Sequence, residues 1–147
     1  MLAIDPGTTE SGWCLFQGGN VIDSGVNPNT SVIDMVRHWV KPEVLAIEMI
    51  ASYGMAVGRD VFETCVWIGR FVEAWRWPAE PRLIYRRDVK LHLCGSSRAK
   101  DANVRQALID LYGGPSAIGK KASKGPLYGV KSHAWSALAV AVTAANT

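Results

Sequence analysis

The stretch from Leu2 to Trp13 reads LAIDPGTTESGW, and it decides the fold that the rest of the chain completes. A short apolar run ends in the acid Asp5, Pro-Gly turns the chain, and a second apolar run follows at residues 13–16. Apolar runs bounded by turn formers predict two buried strands joined as a hairpin. A carboxylate in a buried strand is costly unless it is paired or bound to a cation, so Asp5 is a candidate for chemistry. On its own, it would be interpreted as a strand-end acid that bonds to its own turn.

A second acid lies near the end of a second buried run. Residues 44–50 read VLAIEMI, which is typical of a central strand covered on both faces, with Glu48 near its carboxyl end. A single acid there could be a structural ion-pair partner, but two acids in apolar strands favour a shared site. His133 and Ser136 stand one turn apart at the start of a predicted last helix, residues 133–145, and therefore on one helix face.

The order of the predicted elements indicates an α/β fold. Residues 20–26 and 82–85 predict two further strands, and apolar stripes predict helices whose ranges are 30–41, 60–77, 86–93 and 100–112. Strands alternating with helices in this way predict a mixed five-stranded sheet flanked by helices on both faces. The helix over 60–77 should bury an apolar stripe that Phe62, Val66 and Phe71 widen, and its extra face is either core or a contact with another copy of the chain. The stripe comprises Val61, Cys65, Ile68, Val72 and Trp75. Residues 119–126 predict a mobile basic loop.

The totals are those of one globular domain over residues 1–147. Hydrophobic residues make up 48% of the chain and charged residues 20%, which argues against disorder. The apolar stretches are too short to span a bilayer, and we expect no secretion signal. Three widely spaced cysteines without a CxxC pair suit a reduced protein. We therefore expect a cytoplasmic protein without a membrane partner.

Positive charge is concentrated in the second half of the chain. Residues 82–131 hold eleven Lys and Arg against three acids, a net charge of +8, whereas residues 1–81 hold five against ten, a net charge of −5. Such asymmetry indicates an anionic partner, although any one of these charges alone is as well explained as solvated surface. The candidate phosphate contacts are Lys90, Arg98, Lys100, Lys121, Lys124 and Lys131.

Two strand-end acids with a histidine permit a definite chemistry. Mg²⁺ and Mn²⁺ prefer carboxylate oxygens, and Mn²⁺ also accepts imidazole. Two such ions about 4 Å apart can activate water and stabilise the leaving oxygen of a phosphodiester. A phosphodiester substrate would also account for the basic second half.

Four motifs, in the same order along the chain, resemble those of the RuvC-type Holliday-junction resolvases. They are IDPGTTxSG at 4–12, AIE at 46–48, RAKDANV at 98–104 and HAWSALAVA at 133–141. The resemblance covers almost the whole chain and points to a phage or prophage branch, in a bacterial host cell. It implies an RNase H-like fold and a homodimer that nicks two opposed strands of a four-way DNA junction with Mg²⁺ or Mn²⁺.

Carried over residue by residue, the resemblance assigns the site. Asp5 and Glu48 match two of the family's acids, and His133 matches the first position of the acid-or-His motif, so these three are the predicted metal ligands. His133 is alternatively a general base for the attacking water. Ser136, also placed in the catalytic set, stands where the family usually has its final aspartate. A hydroxyl is a weak ligand for a hard cation, so the expected site has two carboxylates and one imidazole unless another acid moves in.

Several interpretations stay open at this point. Ser136 is explained by a natural variant that works with fewer acids, by a protein engineered to bind without cutting, or by a natural non-cleaving binder. The family often has a base-stacking Phe three residues after the second acid; Ala51 stands there, and Tyr53 is either its replacement or a surface tyrosine. The rival functions are a junction-binding module without cleavage and an ATP-binding domain of the sugar-kinase and actin-like type, whose phosphate turn residues 5–9 also fit.

Overall fold

A computed structural model of the chain describes residues 1–39 and 42–147. The strands are β1 (Leu2–Asp5), β2 (Glu10–Gln17), β3 (Asn20–Pro28), β4 (Leu45–Met49), β5 (Arg82–Tyr85), β6 (Gly119–Lys120) and β7 (Ser123–Lys124). The helices are α1 (Asn29–His38), α2 (Arg59–Ala74), α3 (Arg86–Cys94), α4 (Asp101–Leu111) and α5 (Ala134–Ala145), with a 3₁₀ turn at Pro115–Ala117.

Strands β1 to β5 form one mixed sheet in the order β3-β2-β1-β4-β5. Strands β1, β2 and β3 pair antiparallel as consecutive hairpins, whereas β4 runs parallel to both β1 and β5. Helices α1 and α2 cover one face of the sheet, and α3, α4 and α5 cover the other. The predicted five-stranded mixed sheet with helices on both faces is confirmed.

The alternation of side chains along β1 and β4 places both acids on the same face. Leu2 and Ile4 of β1 pack with α1 and α2, and Ala3 packs with α5 on the opposite face. Strand β4 repeats the pattern with Ala46 on the α5 face. Because successive side chains in a strand point to opposite faces, Asp5 and Glu48 share the α5 face with these alanines.

Helix α2 buries a face that differs from the predicted stripe. Ile68 and Trp75 of the predicted stripe are buried, as is Phe71, which widens it. The other three members of the stripe, Val61, Cys65 and Val72, are only partly buried. The two stripes overlap because i, i+3 and i, i+4 spacings select neighbouring helix faces. The prediction was therefore right about the helix and about part of its buried face, and wrong about the rest of that face.

One side of α2 exposes a pair of large apolar side chains. Phe62 is 63% exposed and Val66 is 62% exposed, and the two stand one turn apart on the helix surface. We call this pair the α2 patch. It is the apolar face of α2 that the core of the described chain leaves uncovered.

Three further sequence predictions differ from the structure or lie outside it. The helical spacing of Val104, Ala107, Leu108 and Leu111 predicts that all four face inward, but Leu111 is 61% exposed at the last position of α4. Residues 119–126 contain the β6–β7 hairpin instead of only a loop. Val40, which the spacing adds to the apolar stripe of α1, lies outside the described residues.

The described residues contain no helix with both the length and the apolar character needed to cross a membrane. Cys14, Cys65 and Cys94 are free thiols. Cys14 is fully buried in β2, and burial raises the pKa of its thiol to about 12, so it acts as a packing residue.

Candidate active site

A ring of hydrogen bonds holds the turn that follows Asp5. The Gly7 backbone N–H donates to Ser11 Oγ at 3.2 Å, and Ser11 Oγ donates to Asn29 Oδ1 at 2.5 Å. Asn29 Nδ2 donates in turn to the Gly7 carbonyl at 3.0 Å. Ser11 and Asn29 are both buried, so these bonds are shielded from water and fix the turn between β1 and β2.

Asp5 is the last residue of β1, and its carboxylate lies beside His133. Asp5 Oδ2 lies 3.2 Å from His133 Nδ1, although Asp5 is at the last position of β1 and His133 directly precedes α5. Burial raises the pKa of Asp5, and the neighbouring His133 and Arg86 counteract part of that rise. Gly12 of β2 makes the contact possible, because a Cβ at this position would overlap the backbone carbonyl of His133. The strand hairpin and the start of α5 thus meet at the site.

Glu48 lies on the strand next to Asp5. The β1–β4 register pairs Ile4 with Ile47, which places Asp5 and Glu48 at neighbouring positions on parallel strands and on one face. Glu48 is 6% exposed. Burial and then the Asp5 charge raise its pKa to about 8, while Arg86 acts in the opposite direction. The predicted pairing of two strand-end acids is what the structure describes.

Arg86 and Asp101 complete the charged cluster, and the sequence analysis did not single out either residue. Arg86 Nη1 lies 3.8 Å from Glu48 Oε1, and Arg86 Nη2 lies 2.5 Å from Asp101 Oδ1. Arg86 is the first residue of α3, directly after β5, and Asp101 is the first residue of α4. The available signal was positional: β5 runs parallel to β4, so its following residue emerges at the same sheet edge as Glu48.

These side chains line a cleft at the carboxyl end of β1. The cleft has a volume of 180 Å³, and its lining comprises Asp5, Pro6, Gly7, Glu10, Arg86, Asp101, His133 and Ser136. A narrower crevice beside it is lined by Glu48, Arg86, Asp101 and Ser136 among others. Ser136 therefore stands in the site, as its position in the motif predicted.

The donor chemistry of the cleft fits a hard divalent cation. Within residues 1–39 and 42–147, no group of three or more His, Cys, Asp and Glu side chains is arranged around a single metal position. The Arg86 guanidinium does, however, pair with two of the carboxylates, those of Glu48 and Asp101, so these acids already share one positive group. Buried carboxylates whose pKa is raised by burial and mutual repulsion gain most from such a cation.

Two predicted DNA contacts line a separate cleft beside the end of β4. Tyr53 and Lys90 line this space of 460 Å³ together with Arg86 and Arg87. Tyr53 is 56% exposed, has a φ of 49° in the left-handed region, and lies with its ring centre 5.8 Å from the guanidinium carbon of Arg87. The structure thus places Tyr53 among cations at the surface.

A third space, of 570 Å³, lies between α4 and the start of α5. Lys131, a predicted contact, lines it with Arg105 and Trp135, which the sequence analysis missed, and also with His133 and Ser136. The Arg105 guanidinium carbon lies 4.7 Å from the Trp135 ring centre. The remaining predicted contacts line none of these spaces and are exposed: Arg98, Lys100, Lys121 and Lys124.

The sheet order and the helices on both faces define an RNase H-like α/β fold. The fold is similar to that of Thermus thermophilus RuvC. The two structures superpose with a TM-score of 0.64 and 19% sequence identity, over 99% of this chain and 93% of the RuvC chain. T. thermophilus RuvC in complex with Holliday junction substrate gives a TM-score of 0.64 and 20% identity over 98% and 91%. The sequence matches no protein-family model and no curated protein.

Proposed function

We propose that this chain is a structure-selective endonuclease that binds four-way and other branched DNA and nicks it by divalent-metal-assisted phosphodiester hydrolysis. The observation that carries the proposal is the pair Asp5 and Glu48, two buried carboxylates on neighbouring parallel strands beside an open cleft. Branched DNA is supported as the substrate class because a solved structure of the same fold is RuvC in complex with Holliday junction substrate. The four motifs of the sequence point the same way.

The cation of the proposed reaction is Mg²⁺ or Mn²⁺. Asp5 and Glu48 would hold it through their oxygens, and His133 is the candidate nitrogen ligand. When bound, such an ion lowers the pKa of water and stabilises negative charge on the phosphate. The protein's part is to hold the two carboxyl groups adjacent, which the sheet register does, and a bound cation would favour their ionised form.

His133 has a second possible task, in proton transfer. When Asp5 is ionised, its carboxylate only accepts hydrogen bonds, so Nδ1 of the imidazole then carries the proton of the Asp5–His133 bond. The other ring nitrogen, Nε2, then keeps its lone pair for a cation or for the proton of an attacking water. The His133 side chain is 62% exposed, so substrate can reach it.

The cationic spaces on either side of the cleft are the proposed DNA path. Tyr53, Arg87 and Lys90 stand on one side, and Arg105 and Lys131 stand on the other. Lys and Arg neutralise backbone phosphates, and Tyr53 offers an exposed ring for stacking on a base. Binding should therefore weaken steeply with salt, as expected for phosphate contacts.

We also propose that the nuclease is a homodimer of single 1–147 domains. The α2 patch supports this, because two adjacent apolar side chains on a helix are exposed to water unless a partner covers them. A twofold dimer would present two clefts, one for each of two opposed strands. A cytoplasmic location and a phage or prophage origin remain part of the same prediction.

The test is a nicking assay on labelled four-way, Y-shaped and linear duplex DNA, with Mg²⁺ or Mn²⁺. We expect nicks in the branched substrates, and we expect Asp5→Asn and Glu48→Gln to bind the junction without nicking it. The matched control is Glu80→Gln, which replaces an exposed acid that lines neither the cleft nor the crevice, and this variant should cut normally. Junction binding without nicks by the unaltered chain in both metals would refute the nuclease and leave a binding module.

The ATP-binding interpretation is not favoured. The similarity to RuvC extends over 98–99% of this chain, so the phosphate-type turn at residues 5–9 belongs to that fold. A nucleotide-binding titration checks this point, and we expect no saturable binding of ATP.

A further inference from the structure

The cleft contains an acid on an element that carries none of the predicted ligands. Asp101, the first residue of α4, lines the cleft with Asp5 and His133 and also lines the crevice with Glu48. Its charge is close enough to raise the pKa of both Asp5 and Glu48. Asp101 is therefore an electrostatic neighbour of both proposed ligands.

The Arg86 guanidinium lies between Asp101 and Glu48 and pairs with both. Its guanidinium bridges Glu48 Oε1, at 3.8 Å, and Asp101 Oδ1, at 2.5 Å. The acids of β4 and α4 therefore face the same guanidinium, each through one of its two terminal nitrogens. The Asp101 side chain is 73% exposed, so it is free to turn toward a new cation when the guanidinium leaves.

Ser136 contributes only a neutral hydroxyl to the donor set of the cleft. It lines both the cleft and the crevice, in the first turn of α5, with a short neutral hydroxyl. Hard divalent cations bind more tightly as more carboxylates surround them. Two carboxylates and an imidazole are a sparse set for such an ion.

We propose that Asp101 is a third carboxylate ligand of the metal site, supplying from α4 the acid that Ser136 does not supply from α5. The inference rests on the proposed function for the identity of the cation, but it concerns this chain's own donor set. Glu10 is the other acid that lines the cleft, and it lines the cleft alone, without reaching the crevice beside Glu48. Glu10 therefore provides a matched control for negative charge as such.

The experiment measures Mn²⁺ binding to the full chain without DNA, by the loss of the free-ion signal in electron paramagnetic resonance. We expect Asp101→Asn to weaken Mn²⁺ binding by about tenfold or more, since affinity at oxygen sites follows the number of charged ligands. Glu10→Gln should change it by less than about twofold, because an exposed charge outside the donor set is screened. Circular dichroism melting confirms that each variant is folded.

A second variant separates ligation from a structural role. In the Asp101→Asn background, adding Ser136→Asp should restore most of the lost Mn²⁺ affinity, because the acid returns to the site from α5. Equal binding by Asp101→Asn and the unaltered chain would overturn the inference, as would equal weakening by Glu10→Gln. An unaltered chain that binds Mn²⁺ but nicks no DNA would refute the nuclease and leave this ligand assignment standing. An unaltered chain that binds no Mn²⁺ would refute both.

Discussion

Removal of the Glu48 charge should stabilise the metal-free protein, and the gain should depend on pH. Burial and the Asp5 charge raise the pKa of Glu48 from 4.5 to about 8. Below pH 4.5 the carboxyl is protonated in both the folded and the unfolded chain, so it carries no penalty. As the pH rises, the unfolded chain releases this proton first, and the free energy of unfolding falls until the folded group also ionises near pH 8.

The size of the effect follows from the pKa change. At about 1.4 kcal/mol for each factor of ten, the ionised Glu48 costs about 3 kcal/mol at pH 7 and about 5 kcal/mol above pH 8. The amide of Glu48→Gln does not ionise, so its stability lacks this dependence. The difference in unfolding free energy between the unaltered chain and Glu48→Gln should therefore change by about 4 kcal/mol between pH 5 and pH 8.5.

Urea unfolding at these two pH values, with a chelator present, measures the difference. Glu80→Gln is the control, because an exposed glutamate should leave the pH dependence unchanged. Saturating Mg²⁺ or Mn²⁺ should recover much of the lost stability of the unaltered chain at pH 8.5, and it should do less for Glu48→Gln. A pH dependence that is the same in Glu48→Gln and the unaltered chain would refute the reasoning.

Three further outcomes are expected. Arg86→Gln should tighten Mn²⁺ binding by roughly threefold to tenfold, because a positive charge beside the carboxylates no longer repels the ion. Arg86→Lys keeps that charge and should not tighten binding. Weaker Mn²⁺ binding by Arg86→Gln in the same titration would contradict this. Gly12→Ala should cost about 1–3 kcal/mol in urea unfolding and abolish nicking, because its Cβ overlaps the carbonyl of His133. Gly58→Ala, at the N-cap of α2 with open space around it, should leave nicking intact. Replacement of both residues of the α2 patch by Ser should shift the chain to monomer in sedimentation, and an unaltered chain that sediments as a monomer would count against the dimer.

The sequence predicted the sheet and the acids on it because both follow from short-range pattern. Apolar runs that end in Asp5 and Glu48 identify two buried strands, and the alternation along each strand decides which face an acid takes. Whether the two strands are neighbours depends on long-range pairing, which the short-range pattern does not contain. The resemblance to the resolvase family implied that the two acids share a site, and β1 and β4 do pair in the structure. The start of α5 beside these strands was predicted within one residue.

The parts that were missed depend on how helices are oriented after they form. Arg86 and Asp101 belong to different helices, and only the path of the connection between α3 and α4 brings their side chains together. The buried face of α2 was predicted only in part for a related reason, since a helix that is apolar on several sides has no single stripe that identifies its buried face. Phe71 is buried and Phe62 is exposed because of what α1 and the sheet cover, which spacing does not reveal.

The guanidinium that joins Glu48 to Asp101 gives this chain a tethered counter-ion. The positive charge of Arg86 thereby offsets part of the repulsion among the acids in the metal-free chain. If a divalent ion took the place of the guanidinium at these acids, the Arg86 side chain would be free to move beside the proposed DNA path. The positive charge of Arg86 would then be available to a phosphate of the incoming DNA instead of to Glu48 and Asp101.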